Sequence, residues 1–261
     1  MKGILRLGVV VGILSLAPAA MAAGFIDLKW DDCSLGGAGA AVNKDYACNL
    51  TTSGFFTMVV SFDPGANYGS AGDGIIADIG FIDLIATSLN ATDLPQYWKF
   101  QPTGVGGCGG GTRMVFNADF TSGPFSCTDM WGGLGSTGGQ LGGKDGPAPS
   151  GNTARIKWTT NVTPDQALSV AAGTQYYAEK VNINRNVTAC PGGCADEVCL
   201  VFNVYATYLL TGGPPKEWMT DQGGVNPPYI TWQQGGSPVF NCPIPTPTRT
   251  HSWGEIKSLY R

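Results

Sequence analysis

The chain has 261 residues, 43% hydrophobic and 13% charged, with 39 glycines, 17 prolines, eight cysteines and a formal net charge of −4. An acidic balance with no basic cluster before the last dozen residues argues against nucleic acid or an anionic membrane surface as partner, because both are held by neutralising cations. A single histidine, His251, excludes a multi-histidine metal centre within one chain, and any Ser-His-Asp or Cys-His arrangement would have to use a residue of the tail.

Residues 1–22 read as an export signal: Lys2 and Arg6 precede an apolar run that ends at Ala20-Met21-Ala22, an A-x-A cleavage pattern. The run is shorter than the roughly 20 residues that span hydrocarbon, and no later segment approaches that length, so the mature chain is expected to carry no membrane span. Losing Lys2 and Arg6 takes the net charge to about −6. The expected location is secreted or otherwise extracytoplasmic. In such an oxidising compartment an even number of cysteines favours disulfides over free thiols.

Along the mature chain, Cys33 and Cys48 flank a Gly/Ala-rich loop at residues 34–40, which suggests a local bridge. In residues 55–62 the set Phe56, Met58, Val60 and Phe62 alternates with other residues, the period-two signature of a half-buried strand. Residues 75–87 are apolar and β-branched and predict a buried strand. Residues 112–120 predict another, with Met114, Phe116, Ala118 and Phe120 on one face; Cys108 and Cys127 flank it and form the second expected local bridge.

Glycine-rich stretches at 104–111 and 132–151 read as loops. Ala154, Ile156 and Trp158 point inward from the next strand, between Arg155 and Lys157. Residues 176–187 and 198–210 both have strand character, and the Pro-Gly-Gly between them predicts an antiparallel hairpin, its second arm central. Cys190, Cys194, Cys199 and Cys242 complete the set; they allow three pairings, and spacing does not choose among them. A four-thiolate zinc site and a redox-active Cys190/Cys194 pair are the weaker readings of this cluster. After Cys242 a Pro/Thr-rich linker leads to Ser252-Trp-Gly-Glu255, a capping box for a short terminal helix, which could pack on the domain or act as a sorting tag.

Eight to ten short strands with turn signals between them predict an all-β fold. The expected form is a disulfide-stapled, two-layer antiparallel β-sandwich of jelly-roll or immunoglobulin-like type, with a short C-terminal helix. The domain plan is signal 1–22, sandwich 23–242, and linker with tail 243–261. Three functions fit it. A non-enzymatic structural or adhesive protein comes first, with glycans or other surface proteins as partners and no cofactor. A carbohydrate-binding module is second: Trp98, Trp131, Trp218 and Trp232, with Tyr97 and Tyr229, could present flat rings to sugars, although large aromatics also dominate sandwich cores.

A glycoside hydrolase using paired carboxylates is third, drawing on Asp31, Asp32, Asp63, Asp73, Asp78, Asp83, Asp93, Asp119, Asp129 or Glu179, none singled out by pattern. Asp63, Asn67 and Asp73 could offer oxygen ligands to calcium, without an EF-hand pattern. Four N-x-Thr sequons, at Asn49, Asn90, Asn161 and Asn186, matter only in a host that glycosylates them.

Several motifs resemble a group of uncharacterised secreted bacterial proteins: Asn117-Ala-Asp-Phe-Thr-Ser-Gly-Pro-Phe-Ser-Cys127, Leu94-Pro-Gln-Tyr-Trp98, Tyr177-Ala-Glu-Lys-Val-Asn182, Tyr229-Ile-Thr-Trp-Gln233 and the terminal Trp253-Gly-Glu-Ile-Lys-Ser-Leu-Tyr-Arg261. The resemblance covers essentially the whole mature chain. It implies export and a shared architecture, and transfers no catalytic or binding residue. Cys190 and Cys194 stand one residue further apart than the close-spaced pair of that group, which leaves their pairing open.

Overall fold

The computed structural model describes residues 25–33, 41–48, 54–64, 75–89, 92–99, 114–121, 126–141, 152–163, 168–185, 192–209, 216–219, 229–233 and 242. Thirteen strands and one 3-10 turn make up its regular structure, with no α-helix among the described residues. The signal segment, the proline-rich linker and the expected terminal helix lie outside them.

The strands fall into two sheets, mostly antiparallel. The first runs β1 (Phe25–Trp30), β3 (Phe55–Asp63), β10 (Tyr176–Asn184), β5 (Met114–Asn117), with the two-residue β6 (Thr128–Asp129) added in parallel to β10. The second runs β2 (Asn43–Lys44), β13 (Tyr229–Trp232), β11 (Val198–Leu209), β4 (Ile75–Ser88), β8 (Thr153–Asn161), β7 (Ser136–Leu141). Two short strands extend it: β12 (Lys216–Met219) on β11 and β9 (Leu168–Val170) on β4.

Alternation explains which side of each strand is apolar. Register places Ile26, Leu28 and Trp30 of β1 beside Phe62, Val60 and Met58 of β3, and Val181 and Ile183 of β10 join them; all are buried. Opposite lie Ala154, Ile156 and Trp158 of β8, and Val198, Leu200 and Phe202 of β11. Ring contacts between Phe62 and Tyr205 (4.9 Å) and between Phe116 and Trp158 (4.6 Å) join the two sheets through one core.

The half-buried expectation for residues 55–62 needs correction, because Val59 and Ser61 on the second face are also enclosed. Polar groups on that face meet one another. Lys29 Nζ lies 3.4 Å from Asp27, Gln175 Nε2 donates to Ser61 Oγ at 2.8 Å, and the Gly173 N–H donates to Asp63 at 3.0 Å. Asp63 thus serves a turn, while Asn67 and Asp73, its suggested calcium partners, lie outside the described residues.

Two further expectations change. Residues 176–187 and 198–210 do not form a hairpin: β10 pairs with β3 and β5, whereas β11 pairs with β4, β12 and β13 in the other sheet. The chain between them is a crossover from sheet to sheet. Gly193, at φ +84°, sits where a Cβ would lie 2.5 Å from Pro95 Cβ, so the close approach admits only glycine. The glycine-rich stretch at 132–151 is not wholly loop either; Ser136–Leu141 pairs with β8, because the ladder uses backbone groups that glycine supplies as well as any residue.

The disulfides are long-range. Cys33 bonds Cys127, Cys48 bonds Cys194, and Cys199 bonds Cys242, across separations of 94, 146 and 43 residues. The expected local pairs Cys33–Cys48 and Cys108–Cys127 are therefore wrong, because Cys33 and Cys127 bond each other and Cys48 bonds Cys194. Cys108 and Cys190 lie outside the described residues. With these thiols oxidised, neither a four-cysteine zinc site nor a Cys190–Cys194 pair is possible.

Candidate functional site

Of the four tryptophans considered for sugar stacking, Trp98, Trp131 and Trp232 are at most 1% exposed, so none of them offers an open face. Trp232 is instead the hub of an aromatic cluster, with Trp30, Tyr46, Phe56, Tyr97 and Trp98 all centred within 5.9 Å of it. Its indole N–H donates to the Cys194 carbonyl at 2.6 Å, and that of Trp131 donates to Ala178 at 2.7 Å. The side chain of Trp218 lies outside the described residues. Packing is the role the geometry gives to the other three.

Beside the hub, Gln233 takes φ 62°, a conformation that costs a non-glycine residue free energy. Its side chain offsets the strain. Oε1 accepts from the Tyr46 N–H, while Nε2 donates to the Tyr46 and Cys194 carbonyls, which fixes both arms of the Cys48–Cys194 bridge.

A cluster of hydrogen bonds surrounds Asp32. Its carboxylate accepts from the Ser126 N–H and hydroxyl, the Cys33 N–H and the Tyr177 hydroxyl, which itself accepts from the Cys127 N–H. Burial works against the charged form, yet the Ser126, Cys33 and Tyr177 bonds outweigh it and hold the carboxyl below its ordinary range. The cluster locks the Cys33–Cys127 bridge in place. Phe120 stacks on Tyr177 (4.2 Å, 9° between planes), and Lys180 Nζ lies 5.2 Å from the Phe120 centroid. Burial lowers the Lys180 pKa against the pull of Asp119 and Asp129.

Those two carboxylates hold turns: Asp119 accepts from Thr121, and Asp129 accepts from the N–H groups of Trp131 and Gly133. Glu179 is different. A register shift in β10 between Tyr177 and Glu179 turns its side chain to the core face, beside Val60 of β3. It is fully enclosed, and neither of its carboxyl oxygens nor the Trp158 indole N–H nor the Thr160 hydroxyl finds a partner of full hydrogen-bond geometry. Burial pushes its pKa well above the usual carboxylate range; the Asn117 backbone, Lys180 and the Trp158 side chain oppose this without offsetting it. Burial favours its neutral form, and the side chain is closed off from any polysaccharide.

The exposed feature with a fixed geometry is cationic. Arg185, just past β10, is an exposed residue whose Nε donates to the Phe55 carbonyl at 2.8 Å and whose guanidinium lies 5.2 Å from the Phe56 centroid. Gly54, at φ +136°, lets the arginine stem cross it. Lys44, paired with Asp31, lies over Tyr46 at 5.4 Å, and Tyr46 packs on Phe56 at 4.1 Å. Burial, then repulsion from Arg185, lowers the Lys44 pKa. Neither Arg185 nor Lys44 was foreseen as a site residue; isolated cations in an acidic chain give no sequence signal until the fold brings them to one aromatic pair.

Comparison with known protein families, with curated proteins and with solved structures finds no match.

Proposed function

We propose that this chain is a secreted or cell-surface β-sandwich, of jelly-roll or immunoglobulin-like type, with a non-enzymatic structural or adhesive role, and that it belongs with the secreted bacterial proteins its motifs resemble. The observation that carries the reading is the use to which its polar groups are put: Asp32, Asp63, Asp129 and Gln233 all hold backbone N–H groups of segments remote or local, so they maintain a frame. Three disulfides reinforce that frame and suit an extracytoplasmic location. No helix among the described residues is long and apolar enough to cross a membrane.

The test pairs a retention assay on intact cells and purified surface polymers with a screen of glycoside and ester substrates. Retention without turnover is expected. Hydrolysis of any substrate by the pure protein, abolished in a carboxylate variant, would overturn the proposal in favour of a hydrolase. A carbohydrate-binding role would have to use a surface other than Trp98, Trp131 and Trp232.

A further inference from the structure

We propose that Arg185 and Lys44 form a binding site for an oxyanion group, the carboxylate or sulfate of an acidic polysaccharide. The inference rests on the adhesive reading above and names the chemistry of its ligand. Arg185 is held in one orientation before any ligand arrives: its backbone N–H donates to Gly54 at 2.9 Å, its Nε is committed to Phe55, and its plane rests on Phe56. What remains is the terminal fork of two nitrogens on an exposed residue, with no ion pair among the described residues. A pre-oriented guanidinium loses little freedom when it takes a carboxylate or sulfate in bidentate fashion.

Lys44 adds a second charge. Its Nζ is anchored over Tyr46, whose ring touches Phe56, so both cations ride on one aromatic pair and repel each other. Asp31 pairs with Lys44, whereas Arg185 has no ion pair among the described residues. An anion between the cations removes the repulsion. Taken with the adhesive reading, the oxyanion is that of an acidic surface polysaccharide.

Asp31 supplies a control. It sits at φ 67°, which asparagine also tolerates, and its carboxylate competes for Lys44. Asp31→Asn should therefore leave the fold intact and strengthen binding.

The experiment is titration of the full mature chain, at low and at physiological salt, with polygalacturonate oligomers, chondroitin sulfate oligomers and a neutral galactan. Binding of one or both acidic oligomers is expected, weakened by salt, with none of the neutral one. Binding of the first alone assigns a carboxylate ligand, and of the second alone a sulfate. Arg185→Gln should lower affinity at least tenfold with the fold retained, as checked by circular dichroism, while Asp31→Asn raises it several-fold. If no acidic oligomer binds at low salt, or if Asp31→Asn leaves affinity unchanged, the site is overturned. Cell retention that persists in an Arg185→Gln chain unable to bind oligomers would spare the adhesive reading but separate it from this site; loss of retention with oligomer binding intact would do the reverse.

Discussion

Glu179 and Asp32 show how environment sets opposite roles for two carboxyl groups. Glu179 has a raised pKa, so the folded state holds its proton more tightly than the unfolded chain does. Its neutral form supports stability fully below the ordinary value near 4.5, and that support is lost at up to about 1.4 kcal/mol per pH unit as pH rises toward the folded value. Glu179→Gln should then raise the Tm at pH 7 and flatten its dependence between pH 5 and the folded pKa; thermal melts across pH with an unaltered slope would count against a buried neutral acid. Asp32 runs the other way. Its depressed pKa contributes stability above about 3.8, lost as pH falls through the folded value. Asp32→Asn should cost about 2–3 kcal/mol at pH 7, the worth of hydrogen bonds to a charged group, and urea titrations at pH 7 and pH 3 should show the gap closing in acid.

At the scale of elements, the crossover from β10 to β11 decides the architecture. Composition alone places strands there correctly, since Val198, Leu200 and Phe202 alternate as a core face and the central position of β11 follows. It cannot say that β10 and β11 part company, because Pro-Gly-Gly suits a hairpin turn and a tight crossover equally. What separates the two is Gly193 against Pro95, with the Tyr97 N–H donating to Gly192 at 2.9 Å: a contact between segments nearly a hundred residues apart. Gly193→Ala should therefore destabilise by about 1–3 kcal/mol, as overpacking at a strained backbone position does. The alanine variant at Gly173, which also has positive φ but nothing near its Cβ, should lose less; equal losses in chemical denaturation would mean that backbone strain alone, without the Pro95 contact, explains both.

The aromatic residues follow the same logic. Their identity was legible as bulk, and Trp158 as an inward residue, but whether Trp98 or Trp232 faces sugar or core depends on neighbours brought from other segments. The cationic corner was hidden for the same reason.

For the whole molecule, the disulfides express long-range order most plainly. On the chain-entropy view, loops of 43 to 146 residues contribute about 4–5 kcal/mol each, so the three bridges are worth more than local ones would be. Each sits beside a packed feature of the fold: Cys33–Cys127 beside the Asp32 cluster, Cys48–Cys194 beside the Trp232 hub, and Cys199–Cys242 on the second face of β11. Sequence spacing favoured the nearest partners, whereas pairing follows the sheets. The stapled two-sheet frame is tested most directly by non-reducing peptide mapping of the mature protein, cut with trypsin and then after Glu197 so that Cys194 and Cys199 fall on separate fragments. Cross-linked peptides joining Cys33 to Cys127, Cys48 to the fragment that carries Cys194, and Cys199 to Cys242 are expected; a peptide joining Cys33 to Cys48 would contradict the arrangement of the two sheets.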